Sequence, residues 1–166
     1  MIALDRDTNG TDADFGPNPL PNKGENVVKP EAKHRPRVGC AGLIRRGDEI
    51  LLGMRKKDPN RGLWVLPGGG VEFGETFEET LTREIKEEAN INIVVRDAFK
   101  TYELINPPNE HRIIIYLFAD YSSGNPVPSS DLAEVRFVGK EELKNFKKEG
   151  RLSPFVERVL HEAELL

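Results

Sequence analysis

The 166-residue chain has one cysteine, Cys40, and three histidines, His34, His111 and His161. A single cysteine excludes an intramolecular disulfide and a cysteine-based zinc cluster, and three scattered histidines argue against a histidine-rich metal site. No apolar run approaches the roughly 20 residues that a membrane-spanning helix needs. The start, Met1-Ile2-Ala3-Leu4-Asp5, turns polar at once and does not resemble a secretory signal. There is no basic block, and the formal net charge is −4. Binding to the phosphate backbone of duplex nucleic acid is therefore not the expected task. Together these absences point to a soluble protein in a reducing, cytoplasmic compartment, with no membrane partner.

What is present is charge: 31% of residues are charged against 37% apolar, over a length that suits one domain with a real core. The first 36 residues differ from the rest. They hold five of the twelve prolines, many Asn, Asp and Gly, and few apolar residues. Such composition predicts a flexible arm. An extended arm packed on the domain or on a second subunit, anchored by Phe15, Leu20, Val27 and Val28, is the other reading.

From Arg37 onward the pattern is that of a folded α/β domain over residues 37–166. Val38–Arg45 and Glu49–Arg55 read as strands joined by a Gly47-Asp48 turn. Leu63–Leu66 reads as a short strand stopped by Pro67 and three glycines. Thr76–Ala89 reads as a helix with Thr76 as its N-cap. Residues 91–105 read as one or two strands, Pro107–Glu110 as a turn, and 111–121 and 134–138 as further strands. Residues 140–146 and 154–166 read as helices. On the last of these, Phe155, Val156, Val159, Leu160, Ala163 and Leu166 form an apolar stripe. Strands on both sides of a central helix imply an α/β sandwich with a mixed sheet.

The helix after the glycines carries the chemistry. Glu84, Glu87 and Glu88 are three and four apart, so they share an arc roughly 100° wide. Phe77, Leu81 and Ile85 make the expected apolar seam, and Glu88 falls within it, with Glu84 at its edge. Three like charges on one arc repel unless something positive sits between them. A divalent cation with hard oxygen ligands is the natural candidate. An acidic protein acting on a phosphorylated substrate would need such a cation to screen repulsion. A solvated acidic face is the alternative. Against it stand the glycine turn at 68–70, Glu75 just before the N-cap, and Arg83, which could pair with a glutamate and orient it.

Gly69, Glu75, Arg83, Glu84, Ile85, Glu87, Glu88 and Ile91 match in register the pattern G-x5-E-x7-R-E-U-x-E-E-x-G-U, where U is aliphatic. The chain thus resembles the Nudix hydrolase family. Only the second glycine departs, being Asn90, at a helix end where Asn tolerates the left-handed conformation. Gly62–Gly69 and the run from Glu134 to Leu143 resemble the flanks of that box, so the likeness covers about residues 37–166. Leu66–Glu75 and Glu87-Glu88-Ala89 resemble the branch that hydrolyses (deoxy)nucleoside triphosphates.

The resemblance implies a Nudix-type α/β/α sandwich and Mg²⁺- or Mn²⁺-dependent hydrolysis of a pyrophosphate bond in a nucleoside diphosphate linked to X. A triphosphate or modified nucleotide is the first expectation, and ADP-ribose or a nucleotide sugar the second. It implies Gly69, Glu84, Glu87 and Glu88 as metal ligands, with Glu75 completing the cluster. Arg83 would orient a carboxylate. Glu87 is the general-base candidate inside the box, and Glu134 and Glu110 are those outside it. Arg55 could contact substrate phosphate or be a surface arginine. Trp64 reads as structural, while Tyr102, His111 and Tyr116 either line a base pocket or belong to core and rim. A non-catalytic nucleotide-binding module is the competing class, disfavoured because every box carboxylate is present. Homodimers occur in this family, and the arm could serve one.

Overall fold

The computed structural model describes residues 35–106 and 110–166. The expected arm lies outside the described residues except for Arg35 and Pro36, as does the Pro107–Asn109 part of the expected turn. Strand β1 (Arg37–Arg46) and β2 (Glu49–Arg55) form the expected hairpin. Gly47 in its turn takes φ 59°, a left-handed conformation open to glycine without side-chain strain. Next come β3 (Trp64–Val65), β4 (Gly68–Gly70) and helix α1 (Phe77–Ala89). They are followed by β5 (Asn92–Asn106), β6 (Glu110–Ser123), β7 (Leu132–Val138), α2 (Lys140–Lys148) and α3 (Pro154–Glu162).

The strands join in one mixed sheet, ordered β3-β2-β1-β6-β5, with β4 on β1 and β7 on β2. The β1–β6 pair is parallel and the others are antiparallel. Alternation along the strands serves two cores. Ala41, Leu43 and Tyr116 face one of them, with Leu143, Phe146, Val156, Val159 and Leu160 from α2 and α3. Cys40, Ile44, Ile115 and Leu117 face the other, with Leu81, Ile85 and Ala89 from α1. The result is the expected α/β/α sandwich. Trp64 is fully buried and stacks on Phe146 with ring centroids 5.1 Å apart, which makes it a core residue.

On the side away from β6, β1 has two partners in turn. Arg45 and Arg46 pair with β2, whereas Gly39–Ala41 pair with β4. β1 and β2 therefore part beyond their hairpin, and the site opens in that fork. The three glycines do not end a strand, as their composition suggests, but form one. Missing side chains on both strands permit the approach: a Cβ on Gly39 of β1 would stand 2.9 Å from the Gly69 carbonyl oxygen, and one on Gly68 would collide with the Cys40 carbonyl oxygen. Residues 92–106 form a single strand whose pairing is interrupted by bulges between Val95 and Lys100.

α1 has a full capping box. Thr76 Oγ1 accepts from Glu79 N–H at 3.2 Å, and Glu79 Oε2 accepts from Thr76 N–H at 2.8 Å. Asn90 ends the helix at φ 55°, ψ 28°, the left-handed cap expected of it. The apolar seam needs correction. Phe77 is 44% exposed while Thr80 is fully buried. The first turn overhangs the core, and Thr80 can take the buried place because its hydroxyl donates to Glu75 Oε2 at 2.9 Å.

Candidate active site

Glu88, near the end of α1, is 6% exposed. Its Oε2 accepts a hydrogen bond from Gly68 N–H at 3.1 Å, which ties α1 to β4. Gly68 takes φ 152°, and a Cβ there would collide with the Cys40 carbonyl oxygen. A Cβ on Gly69 would instead collide with the carboxyl group of Glu84. The two glycines should therefore fail differently. Gly68→Ala meets rigid backbone in a strained conformation and should lose about 2 kcal/mol of stability. Gly69→Ala meets the end of a flexible side chain, so the protein should fold but lose about tenfold or more in turnover as Glu84 is displaced. Thermal melts and kinetics on the two variants check this contrast.

Arg83 holds the acidic cluster together. Its Nε lies 2.7 Å from Glu75 Oε1, its Nη2 2.9 Å from Glu75 Oε2, and its Nη1 2.9 Å from Glu84 Oε1. Nη2 also donates to the Gly70 carbonyl at 3.1 Å. Glu87 Oε2 stands 3.8 Å from Nη1. The positive charge needed among the glutamates is thus supplied first by Arg83. Among the described residues no three Asp, Glu, His or Cys side chains are drawn into a ready-made cation site. The Arg83 hydrogen bonds, with those from Glu72 N–H and Thr80, pull the Glu75 pKa down to about 2. Glu88 behaves in the opposite way. Burial pushes its pKa up to about 7; the Gly68 N–H and Arg55 oppose that rise, and Glu84 and Asp131 add to it. Cys40 is likewise pushed up, to about 11, by burial and by Glu75 and Glu84, so its thiol stays protonated at neutral pH.

A cavity of about 540 Å³ opens in the fork between β1 and β2. It brings together Gly69, Glu84, Glu88 and Arg55, as the sequence suggests, and adds Tyr116 and, toward its other end, Glu110. Glu87 is not part of its wall, and its side chain is 57% exposed. Glu134 is not part of it either: it sits on β7 beside Arg136, 3.0 Å away. Glu110 is six residues along β6 from Tyr116, the residue that pairs with Ala41 opposite Gly68. At about 3.3 Å per residue, Glu110 is too far along the strand to act as base beside Glu88. Tyr102 belongs to the core, and His111 pairs with Glu103 at 2.7 Å away from the cavity.

Sequence reasoning overlooked Asp131, Arg37 and Arg112, all of which line the cavity. Asp131 lies 2.7 Å from Lys57 Nζ and 4.0 Å from Arg55 Nη2, so it positions the cationic side of the site. Nothing local marks it, because it lies in the loop before β7. Arg112 was legible in principle: Arg112, Ile114 and Tyr116 alternate onto one face of a strand.

Residues 33–159 match the model of the NUDIX domain. The chain belongs to this family, and its box, glycine strand and sandwich are that domain's architecture. An ADP-ribose pyrophosphatase of Methanocaldococcus jannaschii is 37% identical over 109 residues, 65% of this chain and 64% of that protein. The NAD-capped RNA hydrolase NudC of Haemophilus influenzae is 39% identical over 92 residues, 52% of this chain and 34% of the relative. The chain therefore spans under two thirds of one relative and about a third of the other. Among solved structures, the MutT protein of Methanosarcina mazei superposes with a TM-score of 0.65 at 26% identity, covering 80% of this chain and 95% of that one.

Proposed function

We propose that this protein hydrolyses the pyrophosphate bond of a nucleoside diphosphate linked to a sugar, with ADP-ribose as the type substrate. The observation that carries this reading is the composition of a single cavity. Carboxylates Glu84 and Glu88 stand with Arg55 at one end, and an apolar wall of Leu104, Ile114, Phe155 and Val156 continues beyond them. Such a wall suits a ribosyl or nucleoside group on the far side of the diphosphate. The likeness to an ADP-ribose pyrophosphatase supports the same choice. The triphosphate expectation becomes the second reading, supported by the box-flanking residues and the likeness to a MutT protein.

The donor set fits Mg²⁺ or Mn²⁺. Glu88 is a buried carboxylate with one neutral hydrogen-bond donor, Gly68 N–H, and Glu84 lies against Gly69, giving hard oxygen ligands without sulfur or imidazole. Glu84 and Glu88 would hold the ion, with Glu87 beside them on the same arc and the Gly69 carbonyl at the edge. When bound, the cation would neutralise phosphate oxygens and lower the pKa of an attacking water. Arg83 keeps Glu84 oriented through its bridge to Glu75. Arg55, held near Asp131, offers a guanidinium to a phosphate. Water adds to one phosphorus and the bridging P–O bond breaks, so ADP-ribose plus water yields AMP and ribose 5-phosphate.

A panel of ADP-ribose, nucleotide sugars and deoxynucleoside triphosphates, with Mg²⁺ or Mn²⁺ and product identification, tests this reading. AMP and ribose 5-phosphate should dominate, with kcat/KM for ADP-ribose at least tenfold above that for any triphosphate. Pyrophosphate release from triphosphates as the fastest reaction would favour the second reading. Binding of ADP-ribose without turnover of any compound would make the protein a nucleotide-binding module.

A further inference from the structure

At the end of the cavity remote from Glu88, two arginines face one another across neighbouring strands. Arg37 of β1 and Arg112 of β6 are register partners, and Leu104 of β5 continues the same row. Like charges placed directly opposite on a sheet destabilise it unless an anion lies between or beside them. Only one of the two has such a neighbour. Arg112 Nε lies 2.8 Å from Glu110 Oε1, but out of line for a hydrogen bond, so this buried donor has no acceptor among the described residues. No carboxylate approaches within 4.0 Å of Arg37 among the described residues. The pair therefore keeps a net positive charge, and both arginines line the cavity that holds Glu84 and Glu88.

The register sets the spacing. Gly39, opposite Gly70, pairs with Ile114, and Ala41, opposite Gly68, pairs with Tyr116. Arg112 is thus about 7 Å along the strand from the first row and about 13 Å from the second. Glu88 acts at the second row through Gly68, and Glu84 acts between the two, at the Gly69–Cys40–Ile115 row about 10 Å along the strand from Arg112. That interval accommodates one sugar unit lying against Ile114.

We propose that Arg37 and Arg112 form a second anion subsite, which takes a phosphate monoester carried on the sugar of the substrate, one sugar unit from the pyrophosphate that is cut. Paired guanidinium forks match the oxygens of a phosphate, which would supply both the missing acceptor and the missing counter-charge. This rests on the proposed nucleotide reading and adds to it a preference for nucleoside diphosphates that carry a further phosphate on the sugar.

Equilibrium binding tests it independently of turnover. The full chain with Mg²⁺ would be titrated calorimetrically with AMP, adenosine 2′,5′-bisphosphate and adenosine 3′,5′-bisphosphate. At least one bisphosphate should bind tenfold or more tightly than AMP. The Arg37→Gln/Arg112→Gln variant should reduce that ratio to about one. Arg37→Gln alone, at an exposed position, should lower it severalfold and serves if the double variant does not fold. Arg96→Gln controls for general loss of charge, since Arg96 pairs with Asp120 at 2.7 Å away from the cavity. Equal binding of AMP and both bisphosphates, or an equal loss in Arg96→Gln, overturns the proposal. A failure of ADP-ribose hydrolysis with the binding ratio intact would overturn the proposed reaction and leave the subsite standing.

Discussion

Glu88→Gln is expected to lower kcat/KM by about 10³-fold at saturating Mg²⁺, a loss of about 4 kcal/mol of transition-state stabilisation. The substitution is nearly isosteric. A glutamine oxygen can still accept from Gly68 N–H, so the tie between α1 and β4 survives. What disappears is the charge, from a site shielded from water, where a carboxylate–cation interaction is least screened. The fold is therefore retained while the metal is held poorly. Steady-state kinetics over a Mg²⁺ titration, alongside a melting curve, separates lost activity from lost structure. A variant that turned over at the wild-type rate would remove Glu88 from the metal set.

The same residue makes the metal-free protein lose stability as pH rises. Burial lifts the Glu88 pKa from its ordinary value of 4.5 to about 7. The folded state thus binds a proton that the unfolded state has released, and unfolding becomes easier through that interval. The contribution is fully present below pH 4.5, and it is lost as pH rises to about 7 and beyond. The loss amounts to about 3 kcal/mol. Glu75 and Glu162 have lowered pKa values and act in the opposite sense, but only in more acidic solution. Urea denaturation in chelator between pH 5 and 7.5 should show a falling stability in the wild type and a flatter profile in Glu88→Gln. Mg²⁺ should raise the melting temperature more at pH 7.5 than at pH 5, because it favours the ionised form. Parallel profiles for the two proteins would show that Glu88 is not the titrating group.

Much of the site was legible before the fold. Thr76, Asn90 and the box residues are local features: a cap, a helix end and side chains on one helical arc follow from spacing alone. The placement of Glu88 within the apolar seam was also readable, because a helical wheel decides it. Phe77 and Thr80 were not readable. Their exposure depends on where α1 crosses the sheet and on Glu75 being available to accept the Thr80 hydroxyl. Similarly, the repulsion among the glutamates could be inferred, but not that Arg83 would answer it first, since this requires Glu75 to lie across from the helix.

The sequence by itself determined the family, the α/β/α order of elements and the supply of hard oxygen ligands, because each follows from periodicity or fixed spacing within about twenty residues. Only the tertiary structure decided which carboxylates meet in a cavity. β4 pairs with β1 instead of ending the chain's third strand, and this opens the fork that admits Glu84, Glu88 and Arg55 and leaves Glu87 and Glu134 outside. It also set Arg37 beside Arg112, residues 75 positions apart in the chain, because a parallel register between distant strands is fixed by burial of both faces and by no local signal.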